Sequence, residues 1–534
     1  MKTIIKGLLL IISLFTIFSC KDMDDLRTDP NEPTSVSTAT LMTGAQKSML
    51  DYIYDNWFSG RQALVYAQYW AQRTYTEEDR YQIRESVNNN YFNYLFRVAG
   101  NLVEIEKLNT DEATKTYMAT FGDNDNQIAA AKVLKVWLME VMVDTWGSIP
   151  YSEAFKLREG VYYPKYDDQT DLYYTFITEL DEAIALFNTD EVVFTEGDEI
   201  YGSKDGDQAL AWKKFANSLK CRIALRLSKV DSNWKKYIAE AVASGVFTSN
   251  DDNAVFNYSA SAPNQCYFYK GFFEDGRNDF SITKPFVDLL KGQPDTLNTK
   301  SHPWEDVVDP RLPIYTTPRN GVYVGLPYGL ASAQMTTAIR NAAPNFYTGE
   351  PLPVKPNFAI SLMSYPEICF ILSEYNGFSA AEYKKGVKAS LEYWNNLNTS
   401  VMGKSVMTDS IMNDYVAKVS SKVNAETVAT QKYIHLYMNG TEAWSEYRRT
   451  GYPTTLLKPG EHSYKVAGEV LDFSPLSDTK GDLPARVKYP TNESTLNPTG
   501  FSNAVAKLTD GTNNYYSKMF WDVRTTSNPH PVNK

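Results

Sequence analysis

The sequence predicts a mainly α protein in which helical hairpins support an irregular, loop-rich half. Two observations carry that prediction. Long stretches place apolar residues at helical spacing, and short Gly turns join them into hairpins. Between Phe247 and Leu362 the periodicity fades, and Pro, Gly, Asn and Tyr dominate instead.

The first 19 residues read as a targeting segment. Lys2 and Lys6 give a positive start, and Gly7 to Phe18 is apolar apart from Ser13 and Thr16. That core is too short to span a bilayer as a mature helix but suits a signal peptide. The run ends Ile17-Phe18-Ser19-Cys20, a loose lipobox, so Cys20 is the predicted lipid anchor. Asp22, Asp24 and Asp25 follow at once. Residues 20–36 form a tether rich in prolines and turn formers (Thr28-Asp-Pro-Asn-Glu-Pro-Thr-Ser-Val-Ser37). No long Pro/Ser/Gly linker follows, so 37–534 is expected to be one large domain.

The helices come next. Gln127 to Asp144 is nearly all apolar, with Lys132, Lys135, Glu140 and Asp144 sharing one side. Ala209 to Ser228 carries the stripe Trp212, Phe215, Ala216, Leu219, Ile223 and Leu227. Tyr365, Ile368, Cys369 and Leu372 form another, Asn376-Gly377 stops it, and Tyr383, Val387, Leu391 and Trp394 begin a partner helix. Neither helix of such a hairpin buries its face alone, which points to stacking of the tetratricopeptide kind, although no clean repeat period is visible. In the irregular half, Gln265 to Lys270 and Gly321 to Val324 are candidates for short strands.

Charge and cysteines narrow the function. The net charge of −11 argues against a nucleic-acid partner. Apart from Cys20, Cys221, Cys266 and Cys369 form no disulfide framework. There is no Gly-x-Ser-x-Gly elbow, Walker loop or His-Glu-x-x-His. The four His lie far apart with no ligand spacing. Asp123-Asn-Asp-Asn126 and Asp205-Gly-Asp207 offer oxygen ligands, yet neither completes a calcium loop, so they read as solvated turns and no cofactor is expected. A carboxylate pair for glycoside hydrolysis is defined by spatial separation and stays open at this level.

Four stretches carry a family pattern: "VDTWGSIPYSEAF" (143–155), "WKKFANSLKCRIALRLS" (212–228), "MSYPEICFILSEYNGFSAAEY" (363–383) and "EAWSEYRRTGYPTTL" (442–456). With the lipobox and "TDPNEPTSVS" they resemble the SusD/RagB family, from Cys20 to near the end of the sequence. The resemblance implies a SusD-like fold with four tetratricopeptide-like hairpins and an irregular ligand-binding half. It also implies a non-catalytic surface lipoprotein of the outer membrane. Such a protein captures glycans, or sometimes peptides, as the lid of a SusC-like TonB-dependent transporter.

Two of these motifs read as scaffold. Gly147 and Pro150 punctuate the first, with Trp146 and Tyr151 packing on the next hairpin. In the second, Gly440 ends one helix, Thr441 caps the next, and Arg448 and Arg449 sit at its negative end. Ligand residues are therefore sought where rings lie among amides and charges. A flat ring covers the apolar face of a pyranose, and planar polar groups satisfy its hydroxyls. Gln68 to Gln82 supplies Trp70, Tyr75, Arg80 and Tyr81, with Arg73 and several amides around them. Tyr267 to Ser281 supplies Phe272, Arg277 and Asn278, and Tyr323 to Leu330 supplies Tyr323 and Tyr328. A surface glycoside hydrolase and an oligopeptide-binding homologue are the competing functional readings.

Overall fold

The computed structural model describes residues 36–204 and 206–534. The leader, the Cys20 anchor and nearly all of the tether lie outside the described residues. Eleven of its helices carry the architecture. They are α1 (Thr38–Ile53), α2 (Glu85–Thr110), α3 (Asn124–Trp146), α4 (Gln169–Leu186), α5 (Gln208–Arg226), α6 (Trp234–Ser244), α7 (Tyr365–Tyr375), α8 (Ala380–Met402), α9 (Asp409–Val419), α10 (Ala425–His435) and α11 (Gly440–Thr450).

Local chemistry sets many of their ends. Ser37, Asp123 and Asp168 each accept a backbone N–H in the first turn of α1, α3 and α4. Pro366 sits in the first turn of α7, where its missing N–H is harmless. Gly147 and Gly451 end α3 and α11 at φ +88° and +77°, a backbone region that glycine enters without strain.

From α1 to α6 each helix packs against the next, and α7 and α8 form a further tight hairpin. The hairpin predicted around Asn376-Gly377 is present. In the described residues four two-stranded antiparallel pairs decorate the array, among them Trp70–Gln72 with Phe280–Ile282 and Ala254–Phe256 with Ile360–Met363. One buried apolar cluster runs from Ala39 to Trp521 and ties these elements together. No helix of the described residues is long and apolar enough to cross a membrane.

The packing corrects several expectations. Gln265 to Lys270 is not a strand: Tyr267–Tyr269 is a helical turn that continues as a π-helix over Lys270–Glu274. Gly321 to Val324 contains only an isolated bridge, Arg319 to Val322. Asn439, not Thr441, caps α11 through its side-chain oxygen, and Gly440 is the first residue of that helix. Gly440 is required by proximity, because a Cβ there would lie 2.5 Å from the carbonyl carbon of Ala63. Trp146 packs back on Tyr91 and Phe92 of α2 and donates to Asn88, while Tyr151 packs forward on Phe176 of α4.

The Trp-Ser-Glu-Tyr-Arg-Arg motif on α11 joins a buried ion network. Arg449 clamps Glu374 through two bonds of 2.8 and 2.7 Å and Glu446 through two of 3.0 and 2.8 Å. Arg226 of α5 reaches Glu442 at 2.5 Å and Glu446 at 2.8 Å, and Arg222 holds Glu367. Burial works to raise the Glu446 carboxyl, but Arg449, Lys432 and Arg226 outweigh it and hold it below the usual carboxylate range. These arginines do more than answer a helix dipole: with Lys432 of α10 they join α5, α7, α10 and α11 in one polar core.

Candidate functional site

A cleft of about 670 Å³ opens between the end of α1, the start of α2 and the 267–274 segment. Its aromatic wall begins with Tyr52 and Tyr94. These two helices pack against each other, which brings Tyr52 against Tyr94 with ring centroids 4.2 Å apart and planes 4° from parallel. Both rings are half-buried.

The turn after α1 is shaped by Asp55. Its Oδ1 accepts backbone N–H groups from Trp57, Phe58 and Ser59 at 3.0, 2.7 and 3.3 Å. Burial pushes the Asp55 carboxyl up to about 7, with those N–H bonds pulling the other way. The turn leaves Trp57 half-buried on the cleft wall, with the guanidiniums of Arg61 and Arg277 over its ring at 4.5 and 4.7 Å.

The opposite wall is the 267–274 segment, whose faces do different things. Tyr267, Lys270, Gly271 and Glu274 line the cleft. Gly271 is dictated by close approach, since a Cβ would stand 2.0 Å from the Asn56 amide nitrogen. Tyr269 and Phe273 form an aromatic ladder with the exposed Tyr347, at centroid spacings of 5.0 and 5.3 Å. Phe268 and Phe272 point inward to Trp70, at 5.3 and 5.8 Å.

Of the nine predicted ligand residues, four lie in the core. Trp70, Tyr81, Phe272 and Tyr328 are each 0% exposed. Trp70 is enclosed by Phe268, Phe272, Phe280 and Phe346. Tyr81 and Tyr328 pack edgewise on Phe473. No face of these rings is left for a ligand.

The polar neighbours that made Trp70 look like a surface residue are themselves buried. Gln72 donates to Glu78 at 2.6 Å, and Arg73 donates to Ser281 and to the Ala343 carbonyl. The remaining five stay accessible to different degrees. Tyr75 is 57% exposed, Asn278 is exposed, and Arg80 and Tyr323 are half-buried, Arg80 donating to the Ser474 carbonyl. Arg277 reaches the cleft through Trp57. Asp279 accepts from Thr74 and lies 3.8 Å from Arg277, so it joins that rim to the Tyr75 loop.

The cleft residues Tyr52, Trp57, Tyr94 and Tyr267 were not among the predicted set. Trp57 alone carries a local signal, following Tyr-Asp-Asn in a polar turn; Tyr52 and Tyr94 look like ordinary helix residues.

Among the described residues no three His, Cys, Asp or Glu side chains are grouped to hold a metal. His302 and His435 are buried in hydrogen bonds, His462 pairs with Asp472, and His530 stacks on Tyr452.

Comparison with known proteins agrees with this architecture. A family model described as SusD-like, starch-binding and associating with the outer membrane matches residues 30–470. The fold is similar to that of a chitin-binding protein, at 25% identity and TM-score 0.71, covering 91% of this chain and 100% of the other. It is also similar to a SusD homologue from Parabacteroides distasonis ATCC 8503, at 21% identity and TM-score 0.71, covering 91% and 98%. A chitin-binding SusD homologue from Flavobacterium johnsoniae matches at 22% identity and TM-score 0.68, covering 91% and 99%. No curated relative matches the chain. With most of its length matched by the family model and its helical array shared with solved homologues, the chain belongs to the SusD-like family of starch-binding proteins that associate with the outer membrane.

Proposed function

We propose that this protein is a surface lipoprotein that captures a glycan in the aromatic cleft and acts as lid for a SusC-like TonB-dependent transporter, without cleaving its cargo. The observation that carries the reading is the cleft itself. It combines half-buried Tyr and Trp rings with amides and charges, where the 267–274 segment meets the end of α1 and the start of α2. Cys20 supplies the membrane anchor in this proposal, residues 20–36 the tether, and 37–534 a single folded unit. Tyr75, Arg80, Arg277, Asn278 and Tyr323 extend the ligand surface beyond the cleft. Similarity to a chitin-binding protein makes chito-oligosaccharides the first ligands to test, with malto-oligosaccharides beside them.

Calorimetric titration of both series tests the reading. Covering about 50 Å² of sugar C–H surface is worth about 1.3 kcal/mol, so the double variant Tyr52→Ala/Tyr94→Ala should bind about tenfold more weakly. Unchanged affinity in that variant would remove the cleft from the proposal. Affinity purification from gently solubilised outer membranes should recover a large TonB-dependent barrel in comparable amount.

Asp55 favours one second reading. A carboxyl raised to about 7 in a sugar cleft suits the general acid of a glycoside hydrolase. Turnover of a bound oligosaccharide that stops in Asp55→Asn would replace the binding reading with that one.

A further inference from the structure

Away from the cleft, a pocket of about 300 Å³ lies where segment 530–534 crosses the end of the buried ion network. Three contacts hold the segment in place. His530 stacks on Tyr452 at 3.9 Å, Asn533 Nδ2 donates to Glu374 Oε1 at 2.9 Å, and the Lys534 backbone N–H donates to the Ser228 carbonyl at 2.9 Å. The half-buried rings of Tyr452 and His530 give the pocket flat walls, and Lys229 and Lys235 give it positive charge.

Lys229 stands out. It follows α5 in the 3-10 turn Leu227–Lys229 and is only 8% exposed. Among the described residues its amine has no hydrogen bond and no carboxylate within ion-pair distance. The acids whose charge reaches it, Glu374 and Glu446, are already clamped by Arg449. A buried cation without a partner is costly, and its ammonium is pulled down to about 8, first by burial and then by Arg449. A second group is also unsatisfied. Asn533 Oδ1 is buried with no donor, and its amide orientation is set because the Glu374 carboxylate can only accept.

We infer that this pocket is a binding site for a small hydroxylated carboxylate of the sugar-acid class. In that site the carboxylate pairs with Lys229, a hydroxyl donates to Asn533 Oδ1, and the ring lies against the half-buried Tyr452. Such a ligand satisfies both orphaned groups at once, and a ring of that size fits 300 Å³. The site stands apart from the glycan cleft and does not depend on it.

The test is calorimetric titration of the full chain with D-glucuronate, with D-glucose as the uncharged control. Glucuronate should bind and glucose should not. Lys229→Met removes a lone buried charge at similar volume, so the variant should fold, and it should lose at least tenfold in affinity. Lys229→Arg should retain binding. Wild-type affinity should fall as pH rises through about 8, where the amine loses its proton. Lys229→Arg should lack that fall, which separates Lys229 from Lys235, Tyr452, His530, Lys534, Glu374, Glu446 and Arg449, the other ionisable groups around the pocket. Equal binding of glucose, unchanged glucuronate binding in Lys229→Met, or no binding of glucuronate at millimolar concentration overturns the assignment.

Discussion

Replacing Arg449 by Leu tests whether the Trp-Ser-Glu-Tyr-Arg-Arg motif is scaffold. The guanidinium makes four hydrogen bonds to carboxylates, two to Glu374 and two to Glu446, and a fifth to Ser228 Oγ, and Arg449 is 1% exposed. In the variant Glu446 keeps Arg226 at 2.8 Å and Lys432 at 3.5 Å, whereas Glu374 keeps only the Asn533 amide as a hydrogen-bond partner. Removing one member of a buried ion pair costs about 3–5 kcal/mol. Unfolding entropy of about 2.1 cal/mol/K per residue over 534 residues gives about 1.1 kcal/mol/K. The Tm at pH 7 should therefore fall by about 3–5 °C in a calorimetric scan, with glycan affinity unchanged at 25 °C.

The pH dependence sharpens the test. Burial raises the Glu374 and Glu446 carboxyls, but Arg449, with Lys229 at Glu374 and Lys432 and Arg226 at Glu446, more than offsets it and both end below the usual range. Their contribution is present above the unfolded carboxylate pKa of about 4.3 and is lost as pH falls through the folded values. The Tm gap between wild type and Arg449→Leu should therefore narrow below about pH 4. A Tm change under 1 °C at pH 7, or lost glycan binding at an unchanged Tm, would refute the scaffold reading.

Four further outcomes follow from the same geometry. Gly440→Ala forces a Cβ against the Ala63–Leu64 backbone and should cost about 1–3 kcal/mol. Gly44→Ala, in the interior of α1 with no atom within 4 Å, should gain up to about 1 kcal/mol; paired thermal melts read both. Trp70→Ala should cost about 3–5 kcal/mol of stability, and any loss of glycan binding should track unfolding and disappear in the folded fraction. His435 is held down to about 3, first by burial and then by Arg311 and Lys432. Between pH 6.5 and about 3 the unfolded chain takes up a proton that the folded chain refuses, so stability falls as pH drops. His435→Gln should flatten that slope in urea titrations across the window.

The helical array was readable because its signal is periodic and local. Trp212, Phe215, Leu219 and Ile223 share one face of α5, and all are buried as that spacing requires. Asn376-Gly377 stops α7 because a turn residue acts where it stands, and Gly377 takes φ +68°. The irregular half was less legible. A short run such as Gln265 to Lys270 carries too few residues to separate strand from helix, and the contacts of Phe268 and Phe272 with Trp70 settled it.

The ligand residues show the division most clearly. From sequence alone came the helical class, the family pattern and the composition of the loop segments, because each depends on neighbours along the chain. Which rings face solvent was decided only by tertiary packing. Trp70 sits among Gln68, Gln72 and Arg73, yet all four are buried and the three polar ones are hydrogen-bonded inside. Tyr52, Tyr94 and Tyr267 look unremarkable in their own segments and meet in one cleft only when α1, α2 and the 267–274 segment are brought together. A polar neighbourhood in sequence marks a surface only where those polar groups find water, and here the fold supplies them with protein partners instead.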